Sequence, residues 1–325
     1  MYVQVVGAGS WGLALARLLA LNEHQVRLWC REEDGLDALR ETRESPVFLP
    51  GVSIPESVEI STDIDPSAEM AILAVPSHVM RLITERYPFN PETIRVSVAK
   101  GVENGTLYCM HQVIRETSGD VPVAVISGPS HAEEVARDRP SLVVAANEST
   151  EIAQTVQAAF NSDAFRVYTS HDVLGVELGG SLKNVIAIAA GICDGFDLGD
   201  NARAALITRG LAEMSRLGSA MGADPITFAG LSGMGDLIVT CSSRHSRNHA
   251  LGERLSKGMS VEEALAASPM VAEGAKTAHS ANALAKREGV EMPIARQVYR
   301  ILYEGADPRN AIADLMLRDP RPEQG

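Results

Sequence analysis

The chain has 325 residues, with 29 basic and 42 acidic side chains; its net charge of −13 argues against a general nucleic-acid or anionic-membrane surface. Hydrophobic residues make up 45% and aromatics 4%, enough for a two-domain core built mostly from Ala, Val, Leu and Ile. The four cysteines, Cys30, Cys109, Cys193 and Cys241, are far apart with no CxxC pair, which suits free thiols rather than a metal site or a disulfide framework.

The N-terminus enters a strand at once, "YVQVV", without the basic start of a signal peptide. "SWGLALARLLALNEH" then reads as a helix and "QVRLWC" as a second strand. Later β-rich runs are "VEIST", "MAILAVP", "IRVSVAKG", "PVAVISGPS", "SLVVAA" and "FRVYTS". Their alternation with helical patterns predicts an α/β, Rossmann-like doubly wound parallel sheet with helices on both faces. Beyond Ser170 every segment carries helical periodicity, with Asp172, Asp200 and Ser260 as candidate N-caps. The expected division is a dinucleotide-binding domain at 1–170 and an all-α substrate-binding and catalytic domain at 171–325. The polar tail "RDPRPEQG" is expected to fray. No apolar run reaches the ~20 residues of a bilayer span, the longest candidate being 185–193, so a soluble cytoplasmic protein with no membrane anchor is expected.

"VVGAGSWG" places Gly7, Gly9 and Gly12 in G-x-G-x-x-G spacing between a strand and a helix. In that context the glycines permit a tight turn, a close approach to a pyrophosphate and close helix–strand packing. The helix N-terminus then faces the phosphates with free N–H groups. An ordinary glycine turn is the alternative. Arg31 follows the second strand, 19 residues past Gly12, where it can hold a ribose 2′-phosphate. NADP(H) is therefore favoured, while Glu32 and Glu33 keep NAD(H) open.

"SVAKGVENG" sets Lys100 at the carboxyl end of a strand, and "ISGPSHAEE" sets Gly128, Ser130 and Ala132 at a similar edge. In an open parallel sheet that edge faces the ligand crevice. Either loop alone is equally compatible with solvated surface.

The helical half contains an ionisable residue in an apolar stretch, Lys183 in "VELGGSLKNVIAIAAG". A buried ammonium needs a partner. Asp236 in "LSGMGDLIVTC" is a candidate, with Asn184 and Thr240 as nearby hydrogen-bonding groups. Burial moves a lysine pKa from ~10.4 toward ~7–8, where it serves as a general acid. A lysine snorkelling to water is the structural alternative. Gly179, Gly180, Ala187 and Gly191 are expected to let this helix approach the nucleotide domain. Arg244, Arg247 and Asn248 follow, and Ser246 is placed to cap the next helix, an arrangement suited to a phosphate. Turn and surface roles remain the alternatives for Asp236 and Arg247.

The motifs "GAGSWG", "LAVPS", "AKG", "GPSHAEE", "VELGGSLKNVIAIAAG", "GMGDLIVTC", "SRN" and "VAEG" occur in that order. Together they resemble the bacterial type of soluble NAD(P)-dependent sn-glycerol-3-phosphate dehydrogenase, over residues 3 to about 314. The resemblance implies reversible reduction of dihydroxyacetone phosphate to sn-glycerol 3-phosphate, a phospholipid precursor. By the same resemblance Lys183 is the general acid/base and Asp236 orients it or binds the substrate hydroxyl. Lys100 contacts substrate and cofactor. Arg247 and Asn248 hold the substrate phosphate, with Ser246, Gly128 and Ser130 nearby. Ser10, Trp11, Arg31, Ala132, Val271 and Glu273 line the cofactor. A homodimer is common among such proteins. The helix reads "GGSLKN" where the family more often has "AGALKN", so Gly180 and Ser181 are expected to loosen it slightly.

Two other readings share this architecture. A 3-hydroxyacid-type dehydrogenase also carries a lysine on its long helix, and "GMGDLIVTC" followed by "SRN" argues against it. A redox sensor that binds a dinucleotide without turnover is argued against by Lys183, Asp236 and Lys100 occurring together.

Overall fold

A computed structural model describes residues 1–243, 245–268, 271–320 and 322–323. In chain order the strands are β1 (Tyr2–Val6), β2 (Gln25–Trp29), β3 (Glu44–Ser45), β4 (Leu49–Ser53), β5 (Glu59–Ser61), β6 (Met70–Leu73), β7 (Ile94–Ser97), β8 (Val123–Ser127), β9 (Ser141–Ala146) and β10 (Phe165–Ser170). The predicted β runs all fall in one sheet of order β10-β9-β8-β7-β6-β1-β2-β5. The β3–β4 ribbon is a separate pair that the periodicity did not announce.

The sheet is mixed rather than wholly parallel, because β8 and β9 run antiparallel. A parallel return normally crosses the face of the sheet through a helix. Between these strands stands only the one-turn helix Ala132–Val135. The other pairs are parallel. β6 and β8 are buried along their whole length, as strands covered on both faces must be.

The helices of this half are α1 (Ser10–Leu21), α2 (Leu36–Thr42), α3 (Met80–Arg86), α4 (Met110–Ser118), α5 (Ala132–Val135) and α6 (Thr150–Phe160). One face of the sheet is sealed by Leu13, Leu15 and Leu19 of α1 with Phe160 and Phe165. The other is sealed by Met80 of α3 and by Met110, Val113 and Ile114 of α4.

The second half is helical. Its elements are α7 (Val173–Gly195), α8 (Asp200–Ala220), α9 (Pro225–Phe228), α10 (Asp236–Ser242), α11 (Arg247–Ser256), α12 (Val261–Ala266), α13 (Glu273–Glu288), α14 (Pro293–Tyr303) and α15 (Pro308–Met316). A π-helical turn at Leu231–Gly235 leads into α10. The spine is α7, which packs against α8, α10, α11, α13 and α14. It is 23 residues long and apolar enough to cross a bilayer, which corrects the expectation that no such run exists. Of its most apolar window, 89% is buried inside the fold, so it reads as a core helix.

Asp172 caps α7 by accepting from Gly175 N at 2.8 Å, and Ser260 caps α12 in a reciprocal box with Glu263. Asp200 is not a cap. Gly199, at φ +84°, holds that position, and Asp200 becomes the first helical residue, where its charge meets the helix dipole. Gly180 is not a loosening substitution either. A Cβ there would overlap the Ser127 hydroxyl, so the glycine lets α7 lie against the end of β8. Gly191 instead faces α11, against the carbonyl of His249, rather than the sheet-bearing half. Part of the expected frayed tail, residues 321, 324 and 325, lies outside the described residues.

Candidate active site

The sheet edge and the helical spine meet at one carboxylate. Asp236 opens α10 and is 1% exposed. Its Oδ1 pairs with Lys183 Nζ from the middle of α7, and its Oδ2 accepts from Lys100 Nζ at 2.6 Å, from the loop after β7. Lys100 also donates to Gly128 O at 3.1 Å, and the Ser130 hydroxyl donates to the same carbonyl at 3.0 Å. Lys183, 5% exposed, donates to Thr240 Oγ1 at 2.6 Å. The Thr240 hydroxyl proton goes to Asp236 O one turn back, at 2.6 Å, which leaves a lone pair for the lysine. A charged ammonium has three N–H donors, and the third on Lys183 has no partner among the described residues.

Burial pushes the Lys183 pKa down and Lys100 adds to the fall, against the pull of Asp236; the outcome is about 7. A lysine there exchanges protons near neutrality. The buried site thus holds two cations, one of them able to donate a proton, around one anion, an arrangement suited to an anionic substrate.

A second hydrogen-bonded group adjoins it. Asn248 Nδ2 donates to Asn184 Oδ1 at 2.9 Å, and Asn248 Oδ1 accepts from Gly274 N at 2.9 Å. Asn184 therefore braces α11 and α13 instead of touching Lys183. Ser246 caps α11 by accepting from His249 N at 3.2 Å, which sets Arg247 and Asn248 in the first helical turn. Arg247 is exposed. Arg244 lies outside the described residues.

The glycine loop fits a dinucleotide. Gly7 adopts φ +112°, Gly12 lies so close to Gly7 O that no Cβ fits, and Gly9 has open space where its Cβ would be. Gly9 is also the N-cap of α1 and gives it no side-chain cap, so the first N–H groups remain available to a pyrophosphate. The Ser10 hydroxyl donates to Phe48 O at 2.5 Å. Half-buried Trp11 packs beside Phe165 at 6.5 Å between ring centroids. Arg31 lies two residues past β2 but is held locally, with both Asp34 oxygens at 2.7 Å and Glu33 at 3.0 Å. Ala132 opens α5, and Val271 is 38% exposed ahead of α13. Glu273 opens α13 and accepts from Ser77 N at 3.4 Å, tying the helical half to the loop after β6.

Two features escaped sequence reasoning. His131, between Ser130 and Ala132, has a buried Nε2 with no hydrogen-bond partner among the described residues. Burial, then Lys183 and Lys100, push its pKa down, so it stands neutral near the ionic centre. Glu177 is also buried, six residues before Lys183 in the same apolar helix. The argument that singled out Lys183 applies to it equally and would have found it.

A sequence profile described as the NAD-dependent glycerol-3-phosphate dehydrogenase N-terminus matches residues 2–153, and one described as the C-terminus of that enzyme matches residues 172–313. A glycerol-3-phosphate dehydrogenase (NAD(P)+) of Pelotomaculum thermopropionicum is 49% identical over 324 residues, covering 97% of this chain and 93% of that protein. One of the same name from Prosthecochloris aestuarii is 49% identical over 331 residues, covering 99% and 100%. The crystal structure of a glycerol-3-phosphate dehydrogenase from Coxiella burnetii superposes with a TM-score of 0.93 at 39% identity, covering 98% of this chain and 99% of that one. The chain belongs to the NAD-dependent glycerol-3-phosphate dehydrogenase family, oxidoreductases of the bacterial type that act with NAD or NADP on a small phosphate ester.

Proposed function

We propose that Lys183 is the proton donor as this chain reversibly reduces dihydroxyacetone phosphate to sn-glycerol 3-phosphate, the glycerophospholipid backbone. The nicotinamide, when bound, supplies the hydride to the carbonyl carbon. Lys183 gives its third N–H proton to the carbonyl oxygen and takes it back in the reverse direction. Asp236 and Thr240 fix the other two protons, so the ammonium has one orientation. Lys100 neutralises Asp236 from the sheet edge and, with Gly128 and Ser130, meets the substrate. Ser246, Arg247 and Asn248 hold the phosphate at the start of α11, and Asn184 keeps Asn248 in place.

Gly7, Gly9 and Gly12 cradle the pyrophosphate. Ser10, Trp11, Arg31, Lys100, Ala132, Arg247, Val271 and Glu273 line the rest of the dinucleotide, and Arg31 gives the preference for NADP(H) over NAD(H). Residues 1–170 form the dinucleotide-binding domain and 171–325 the substrate domain of a cytoplasmic homodimer. The observation that carries this reading is the continuous Lys100–Asp236–Lys183 contact between sheet edge and spine helix.

The test is loss of NADPH or NADH absorbance with purified protein and dihydroxyacetone phosphate, beside unphosphorylated dihydroxyacetone. Turnover with the phosphate alone is expected, and sedimentation should give a dimer. Tight NADPH binding without turnover on either compound overturns the assignment.

A further inference from the structure

The spine helix carries a second buried ion pair, which the proposed chemistry does not use. Glu177 on α7 is 4% exposed. Its Oε1 accepts from the backbone N of His111 at 2.9 Å, and its Oε2 pairs with Nδ1 of the same histidine. His111 is 8% exposed and is the second residue of α4, in the sheet-bearing half. The clasp therefore crosses between the two halves, as Lys100–Asp236 does. Six helical residues, about 9 Å, separate Glu177 from Lys183. Between them Gly180 lies against Ser127 at the end of β8, and a Cβ on Gly179 would stand 2.6 Å from Ser232 O. A helix fastened to a neighbour at one point can pivot about it. Fastened at two, it keeps its angle.

We propose that Glu177 and His111 are positioning residues: their clasp sets the angle of α7 against the sheet-bearing half and so places the Lys183 ammonium for proton transfer. This rests on the reading of Lys183 as proton donor. Catalytic geometry is sensitive at this scale, a displacement near 1 Å costing about 10²-fold in rate. The clasp also has a charge. Facing it are Arg115 on its own helix, Glu148 after β9, Cys109 at the N-cap of α4 and, acting on Cys109, Arg287 of α13. Burial pulls the His111 pKa down, but the charge and hydrogen bond of Glu177 outweigh it and leave the pKa above the ordinary histidine value. The ionic part of the clasp is present at low pH and fades as pH rises through that raised value.

The experiment compares His111→Ala, His111→Asn, Glu177→Gln and Lys183→Ala by steady-state kinetics across pH, with NADPH binding and melting temperature measured alongside. His111→Ala and Glu177→Gln are expected to lower kcat about tenfold or more while KM for dihydroxyacetone phosphate and the NADPH Kd stay within about twofold. His111→Asn keeps an N–H donor where Nδ1 stands and is expected to recover most of kcat, without the pH limb that His111 adds. Should Glu177→Gln fail to fold, the two His111 variants carry the test alone. Wild-type kcat in a folded His111→Ala overturns the proposal. So does a loss of kcat, KM and melting temperature together that Asn does not rescue, because that marks a purely structural contact. Full activity in Lys183→Ala overturns the proton-donor reading itself, a separate outcome.

Discussion

Asp236 binds Lys100 across the junction of the two halves at 2.6 Å, so the ionic centre of the site is complete only while those halves are together. The same carboxylate also holds Lys183 and opposes the fall in its pKa to about 7. Lys183 is protonated below that value. Under the proposed assignment reduction needs the protonated form, so kcat for dihydroxyacetone phosphate is expected to fall as pH rises through about 7, and glycerol 3-phosphate oxidation to gain over the same window. Asp236→Asn removes the charge that favours the ammonium, and the limb moves to lower pH with kcat about 10²–10⁴-fold down. Initial rates from pH 5 to 9 check this; a limb that stays in place in the variant rules out Asp236 as the cause.

Gly9→Ala separates binding from folding. The new methyl meets nothing in the protein, so the melting temperature should stay within about 2 °C of wild type. It would fill the space a pyrophosphate needs, and the NADPH Kd should rise about tenfold or more. Gly12→Ala should instead lower the melting temperature, because its methyl overlaps Gly7 O. Calorimetry and fluorescence titration of both variants give the comparison, and equal Kd for Gly9→Ala and wild type would remove the glycine loop from the binding site.

Arg31 is bound by Asp34 and Glu33, so a 2′-phosphate must compete with carboxylates for it. Arg31→Ala should lower kcat/KM for NADPH about tenfold and leave NADH nearly unchanged. Asp34→Asn should raise the NADPH/NADH ratio by freeing the guanidinium. A ratio indifferent to both changes would move cofactor choice to other residues.

Glu213 on α8 accepts from Ile294 N at 2.7 Å and Ala295 N at 3.1 Å, anchoring the start of α14. Burial outweighs those hydrogen bonds and raises its pKa from 4.5 to about 7. Its protonation then stabilises the fold fully below about 4.5, and that contribution is lost as pH rises through about 7. The loss is on the order of 3 kcal/mol. Glu213→Gln should be less stable by about 1 kcal/mol at low pH, having one acceptor fewer, and should lose much less between pH 5 and 8. Urea denaturation at the two pH values measures both. A variant as pH-sensitive as wild type would show that another group dominates.

The parts legible in the sequence were those set by local pattern. The eight strands of the main sheet, the turn at Gly7, Gly9 and Gly12, and the caps at Asp172, Ser246 and Ser260 follow from short-range periodicity and turn chemistry. Lys183 was legible because a charge in an apolar helix demands a partner, and Thr240 was among the groups expected near it. What stayed hidden depends on distant chain. The direction of β9 goes with the single helical turn between it and β8, which is too short a helix to cross the sheet. Asn184 turns from the lysine because Asn248 comes to it from 64 residues away. Glu177 was open to the argument that found Lys183, but its partner is a histidine 66 residues earlier that no local spacing marks. Arg31 falls just past the end of β2, as expected, but its capture by Asp34 is a matter of side-chain geometry after the strand ends.

The crossing of α7 and α11 has its own consequence. A methyl on Gly191 would overlap His249 O, and one on Gly252 would overlap Ile188 O, so the two helices touch main chain to main chain. Such a contact has no rotamers to adjust. Lys183 and the first turn of α11 are then held at one separation whatever the rest of the molecule does. Under the proposed assignment this makes the pair of helices a ruler: a phosphate ester one carbon too long or too short would be refused by its length, before any charge or hydrogen bond is consulted.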